Sequence, residues 1–332
     1  MLFPETERAL LHRLATAQRD GRAPSLAGAV ARGGQRAWSG AIETTTDTQF
    51  RIGSLTKTFV AVLIMRLRDE GRLGLDDHLE DHLADAPIRG VTIAQLLSHT
   101  AGLASETPAP WWERTPGDLR PNLADIIDPD LKHPPGHRFH YSNPGFGLLG
   151  GVVEALRGES WPEVLQREVL DPLEMTRTSF LPREPYARGT AVHPFADLVM
   201  PEVVQEVGRM APAGQIWSTV DDLCRFARLI AAGADGVLSA DTMEEMREPR
   251  SGPEADSWDS GYGLGVQLMR TPDRLLAGHT GSMPGFVCTL WVSVDDDLGA
   301  AVLANTTAGV PIPMIAADLI GIVAEREPRI PE

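Results

Sequence analysis

A serine and a lysine stand three residues apart in Ser54-Leu55-Thr56-Lys57, where a polar segment gives way to an apolar one. On a helix, residues i and i+3 share a face. The amine can therefore reach the hydroxyl and take its proton, which a serine needs in order to attack, because a free hydroxyl is a weak nucleophile at neutral pH. Serine is also a favoured helix cap, and a bare S-x-x-K recurs by chance, so its weight depends on its company. Two more clusters accompany it. Tyr141-Ser142-Asn143 precedes Pro144 and brings a phenol able to relay a proton. His279-Thr280-Gly281-Ser282 precedes Met283-Pro284-Gly285 and brings an imidazole at a predicted strand.

In this order and local setting the clusters resemble the serine β-lactamase and penicillin-binding-protein superfamily, most of all its class C β-lactamase, D,D-peptidase and esterase branch. S-x-x-K, Y-x-N and a K/H-x-G triplet follow one another along the chain. Leu96-Leu97-Ser98-His99-Thr100-Ala101-Gly102-Leu103, Pro135-Gly136 ahead of Phe139-His140-Tyr141, Asp171-Pro172-Leu173 and Pro284-Gly285-Phe286 fit the same pattern. The resemblance spans roughly residues 20–325. It implies that Ser54 is acylated and that Lys57 and Tyr141 share the acid–base work. It also implies that Asn143 binds the lysine and the substrate's acyl side chain. The backbone N–H groups of Ser54 and Ser282 would form an oxyanion hole, with Gly281 and His279 beside them on the substrate side. His279 departs from the lysine that β-lactamases carry there and that helps hold a substrate carboxylate. A neutral imidazole does so less well at pH 7. The departure implies weak penicillin hydrolysis and points to esterase, D-aminopeptidase and transacylase members. It leaves open whether His279 orients Tyr141, helps a proton relay or serves structure alone.

The elements that must position these residues are segregated along the chain. An amphipathic helix is expected over residues 5–20, then two strands around Leu26–Ala31 and Gln35–Ala41 joined at Gly33-Gly34. Phe59–Leu67 is apolar on nearly every face and predicts a buried helix starting at Ser54 and stopping at Gly71. Thr92 and Gln95 form a capping-box pattern, and Asn143-Pro144 reads as a cap with proline in the first turn. Between Ala104 and His137 lies a long loop whose Trp111 and Trp112 could line an acyl pocket or pack the loop down. Beyond Ala211 a helix ending at Gly233, strands at Tyr262–Met269, Phe286–Val294 and Ala300–Leu303, and a last helix over Pro313–Ala324 are expected. Tyr262 reads as a packing residue. The fold class that follows is α+β: an antiparallel β-lactamase-like sheet flanked by helices, built from residues 1–70 and 190–332, with a mostly helical region over 71–189.

The 332 residues suffice for one large domain or two intimate ones, and 42% hydrophobic with 23% charged residues is ordinary for a globular chain. A formal charge of -16 makes nucleic acid and anionic membrane unfavourable partners. No apolar run is long enough to span a bilayer. The start, Met1 to Arg8, lacks a basic and then apolar leader, so a cytoplasmic location is the expectation. Cys224 and Cys288 sit in apolar segments and read as buried free thiols. His78, His82, His133, His137 and His140 lie in loop-like or acidic contexts that do not form a metal set, and no cofactor is expected. The expected function is acyl-enzyme hydrolysis of an ester or amide of a small molecule or peptide. An acyltransferase handing the same acyl group to an amine or alcohol shares every motif. An idle binding or sensor protein on this scaffold is the reading from another class. The sequence does not set the oligomeric state.

Overall fold

The computed structural model describes residues 2–108, 127–193, 196, 198–204, 206–250, 260–307 and 309–328. Trp111 and Trp112 lie outside the described residues. The strands, in chain order, are β1 (Leu26–Arg32), β2 (Gln35–Ile42), β3 (Phe50–Arg51), β4 (Thr190–Val192), β5 (Val199–Pro201), β6 (Trp217–Ser218), β7 (Ser260–Tyr262), β8 (Gln267–Arg270), β9 (Leu275–Met283), β10 (Phe286–Ser293) and β11 (Leu298–Ala304). Seven of them form one sheet in the order β2-β1-β11-β10-β9-β8-β7, with every neighbouring pair antiparallel. N-terminal and C-terminal strands therefore share one sheet, joined where β1 pairs with β11. The single strand expected over Tyr262–Met269 is two, β7 and β8, because Gly263 and Gly265 turn the chain between them.

The strand period of two sorts the side chains onto two cores. On β11, Leu298, Ala300, Val302 and Ala304 face the terminal helices Pro4–Gly21 and Ile312–Arg326, while Ala301 and Leu303 face the larger core. The helix Thr56–Asp69 runs through that larger core with Thr56 to Met65 all buried, as its all-round apolarity requires. Phe59 stacks on Phe226 of the helix Val220–Ala232 at 3.7 Å between ring centroids.

Among the described residues every strand lies before Ile52 or after Gly189. The segment between is helical where it is regular, with helices at Leu79–His82, Ile93–Leu97, Asn143–Arg157 and Trp161–Leu165. The expected Thr92–Gln95 capping box is present, with reciprocal bonds of 3.2 and 3.0 Å. Arg157 and Arg66 converge on Glu168, at 2.7 and 3.2 Å, and tie this segment to the buried helix. Both cysteines are free and buried. No helix among the described residues is long and apolar enough to cross a membrane.

Candidate active site

Ser54 stands on a 3-10 turn, Gly53–Leu55, between β3 and the buried helix. It is therefore not the helix cap suggested by its sequence position; Leu55 occupies that place without a side-chain bond. The turn is pressed onto β9. A Cβ on Gly53, whose φ is +51°, would lie 2.7 Å from the Ser282 nitrogen, and one on Gly281 would lie 2.0 Å from the Ile52 oxygen. The Ile52 carbonyl accepts from the Cys288 thiol at 2.7 Å, and its N–H donates to the Ile216 oxygen at 2.9 Å. The turn is thus fixed from both sides, and Ser54 and Ser282 are brought to one edge of it.

Lys57, one turn on, is fully buried. Its Nζ lies 3.0 Å from Ser54 Oγ, 2.6 Å from Asn143 Oδ1 and 2.7 Å from the Ala213 oxygen. A neutral amine has two hydrogens and one lone pair. The two carbonyl oxygens can only accept, so they take the hydrogens and leave the lone pair facing the serine hydroxyl. Burial pulls the Lys57 pKa well below its ordinary value, against a smaller opposing pull from the Glu106 charge. Such an arrangement can let Lys57 act as a base toward the Ser54 hydroxyl.

Asn143 owes its orientation to two neighbours. The helix Asn143–Arg157 is capped by Ser142, whose Oγ accepts from the Gly145 N–H at 3.2 Å. The cap expected at Asn143 is displaced by one residue, and the Asn143 side chain is released into the site. Its Nδ2 donates to Glu106 Oε1 at 2.8 Å. A carboxylate can only accept, so Glu106 fixes which end of the amide faces Lys57. Nothing in the sequence marked Glu106. It is one acidic residue in a long loop, 37 positions from the asparagine it meets.

Tyr141 completes the first group. Its hydroxyl is bonded to the Ser54 side chain, and Lys57 Nζ lies 5.0 Å from its ring centroid. Burial, reinforced by the Glu106 charge, raises the phenol pKa above its usual value, so Tyr141 stays protonated and is a proton donor toward the serine.

His279 does not open onto the cleft as a substrate anchor would. It is buried on β9, with Nδ1 bonded to the Thr280 carbonyl and Nε2 2.9 Å from the Tyr262 hydroxyl. Both ring nitrogens are used within the protein. Its ring centroid is 6.4 Å from that of Tyr141, so the two rings are neighbours without a direct bond. Burial, and then the nearby Lys57 charge, lower its pKa to about 3. Tyr262, expected to be packing, is the residue that engages it.

A cleft of about 300 Å³ opens above the serine, lined by Ser54, Glu106, Asn143, Ser282, Met283, Pro284 and Thr307. Among the described residues of that lining, Glu106 is the charged one. Ser54, Lys57, Tyr141, Asn143 and Ser282 are thus gathered at one place, with Gly281 as the close-approach point beneath. Among the described residues no group of His, Cys, Asp and Glu is arranged to hold a metal ion.

A serine backed by a buried lysine and a phenol, between strand β9 and a helical segment, defines the class of serine acyl-transfer hydrolases. The chain belongs to the β-lactamase family, whose model matches residues 8–325, and it is a serine hydrolase of that family. It is 32% identical to Penicillin-binding protein 4 of Amycolatopsis lactamdurans over 80% of this chain and 74% of that protein. It spans about half, 54%, of the length of Protein flp of Staphylococcus aureus, at 25% identity over 80% of this chain. In fold it is similar to the octameric penicillin-binding protein homologue from Pyrococcus abyssi, with a TM-score of 0.82 at 24% identity over 99% of this chain and 78% of that one. It is also similar in fold to a D-stereospecific amidohydrolase from Streptomyces sp., with a TM-score of 0.80 at 24% identity over 98% of this chain and 99% of that one.

Proposed function

We propose that this chain hydrolyses amides or esters of small molecules whose acyl part carries a cationic amine near the scissile carbonyl. The observation that carries the reading is Glu106: a carboxylate lining the cleft beside Ser54, tied to Asn143 at 2.8 Å. Glu106 brings a negative charge to the cleft beside Ser54, and that charge attracts an ammonium group on the acyl part. The same charge repels a substrate carboxylate. His279, with both nitrogens engaged, offers none of the cationic help that a lysine at this place would give. Penicillins, which carry a carboxylate, are therefore disfavoured. The fold neighbour that is a D-stereospecific amidohydrolase makes D-amino-acid amides the first substrates to test.

In this reading Ser54 Oγ attacks the carbonyl carbon while its proton passes to Lys57 Nζ. The oxyanion is held by the N–H groups of Ser54 and Ser282, each such donor typically contributing about 3 kcal/mol in the transition state. The C–N or C–O bond breaks, and the leaving group takes the Tyr141 proton, which Lys57 restores. Water then reverses the sequence and frees the acid and Ser54.

Glu106→Gln tests the substrate class. A hydrogen bond to a charged group is worth about 1.5–3 kcal/mol, so kcat/KM for D-phenylalanine amide should fall roughly 10–100-fold. Turnover of p-nitrophenyl acetate, which has no amine, should change far less. Equal losses on both substrates, or a wild-type preference for the N-acetylated amide, would refute the amine reading.

A further inference from the structure

His279 is held by an arrangement that specifies one proton position. The Thr280 carbonyl can only accept, so Nδ1 carries the hydrogen. Nε2 is then a lone pair, and the Tyr262 hydroxyl, 2.9 Å away, must donate to it. Tyr262 ends β7 and is 1% exposed; His279 lies on β9, also 1% exposed, so bulk water does not compete for either group.

The groups around this pair come from three other parts of the chain. Lys57 approaches from the buried helix and Tyr141 from the segment before Asn143. His99 follows the helix Ile93–Leu97 and lies between the two tyrosines, at 4.2 Å from Tyr141 and 4.6 Å from Tyr262 between ring centroids. The Ser142 N–H donates to His99 Nδ1 at 3.0 Å, so His99 also has a specified tautomer. Burial above all holds the His99 pKa well below its ordinary value.

We propose that Tyr262 is a positioning residue: its hydroxyl holds His279 as the neutral Nδ1–H tautomer and so fixes the ring beside Lys57 and Tyr141. The other tautomer would aim a lone pair at the Thr280 carbonyl. A protonated ring would place a cation beside the neutral Lys57 amine. Either change would disturb the lysine that faces Ser54. The purpose of this lock rests on the acylation reading above; the lock itself does not.

The test is therefore spectroscopic first. In protein labelled with 15N-histidine, His279 should show a protonated Nδ1 and a hydrogen-bonded, unprotonated Nε2 from pH 5 to 9. In Tyr262→Phe the Nε2 signal should lose its hydrogen-bond shift or report a tautomer mixture. With a p-nitrophenyl ester, kcat should fall about ten-fold, the scale of one lost hydrogen bond, with KM little changed. The same substitution in a His279→Asn background should add nothing, because the two residues act as one unit. An Nε2–H tautomer or an imidazolium in the wild type at pH 7 would overturn the proposal. So would a Tyr262→Phe loss that is undiminished in the His279→Asn background. If Tyr262→Phe does not fold, the wild-type spectrum decides alone. If Ser54 proves not to be acylated, the tautomer result still stands or falls by itself.

Discussion

Lys57 illustrates how single residues acquire their chemistry here. Its motif partner Ser54 was legible because both lie within one helical turn. The groups that make Lys57 a base were not: Asn143 is 86 positions away and the Ala213 carbonyl 156. The same distance problem hid Glu106 and the engagement of Tyr262. His279 was legible as a departure from lysine, but its direction was not, because that depends on which carbonyl and which hydroxyl the sheet brings beside it. A pH profile tests the residue-scale account. The base must be neutral, and burial lowers the Lys57 pKa, so kcat/KM for an ester without an amine should fall as pH drops through that lowered value and stay level above it. Tyr141, raised by burial, should add no alkaline limb below pH 10. An activity that instead rises only as pH approaches the ordinary lysine value of about 10.4 would show that Lys57 is not depressed.

At the scale of elements, the site depends on a short turn lying against a strand. The buried helix, the N-terminal hairpin and the C-terminal strands were legible from period and composition. The Gly53–Leu55 turn was not, because three residues carry no period; it is recognisable only from the close approach of Gly53 and Gly281 to neighbouring backbone. Gly53→Ala combines a left-handed φ with a Cβ 2.7 Å from the Ser282 nitrogen. The strain should cost about 1–3 kcal/mol in unfolding free energy. Displacing the Ser54 and Ser282 N–H groups should lower kcat roughly 100-fold or more, the effect of losing one oxyanion donor. Full activity in this variant would show that the turn does not need its contact with β9.

At the scale of the whole molecule, one antiparallel sheet closes the two ends of the chain around the helical segment, and that architecture followed from the order of strand-like and helix-like runs. The acidic balance, -16 in formal charge, was equally plain. Its functional consequence depends on Glu106. A field of this sign raises the encounter rate with a cation. For a cationic amide, kcat/KM should fall several-fold as salt rises from about 0.01 M to 0.2 M, over which screening shortens from about 30 Å to below 10 Å. A neutral ester should respond little. Identical salt dependence for both would separate the charge from the catalysis.

The central claim is that Ser54 is the acylated nucleophile, and intact-protein mass spectrometry tests it most directly. After treatment with a fluorophosphonate, the wild type should gain one adduct, mapped by peptide digestion to Ser54. Ser54→Ala should gain none and should lose ester turnover. An adduct on another residue, or turnover that survives in Ser54→Ala, would contradict the account.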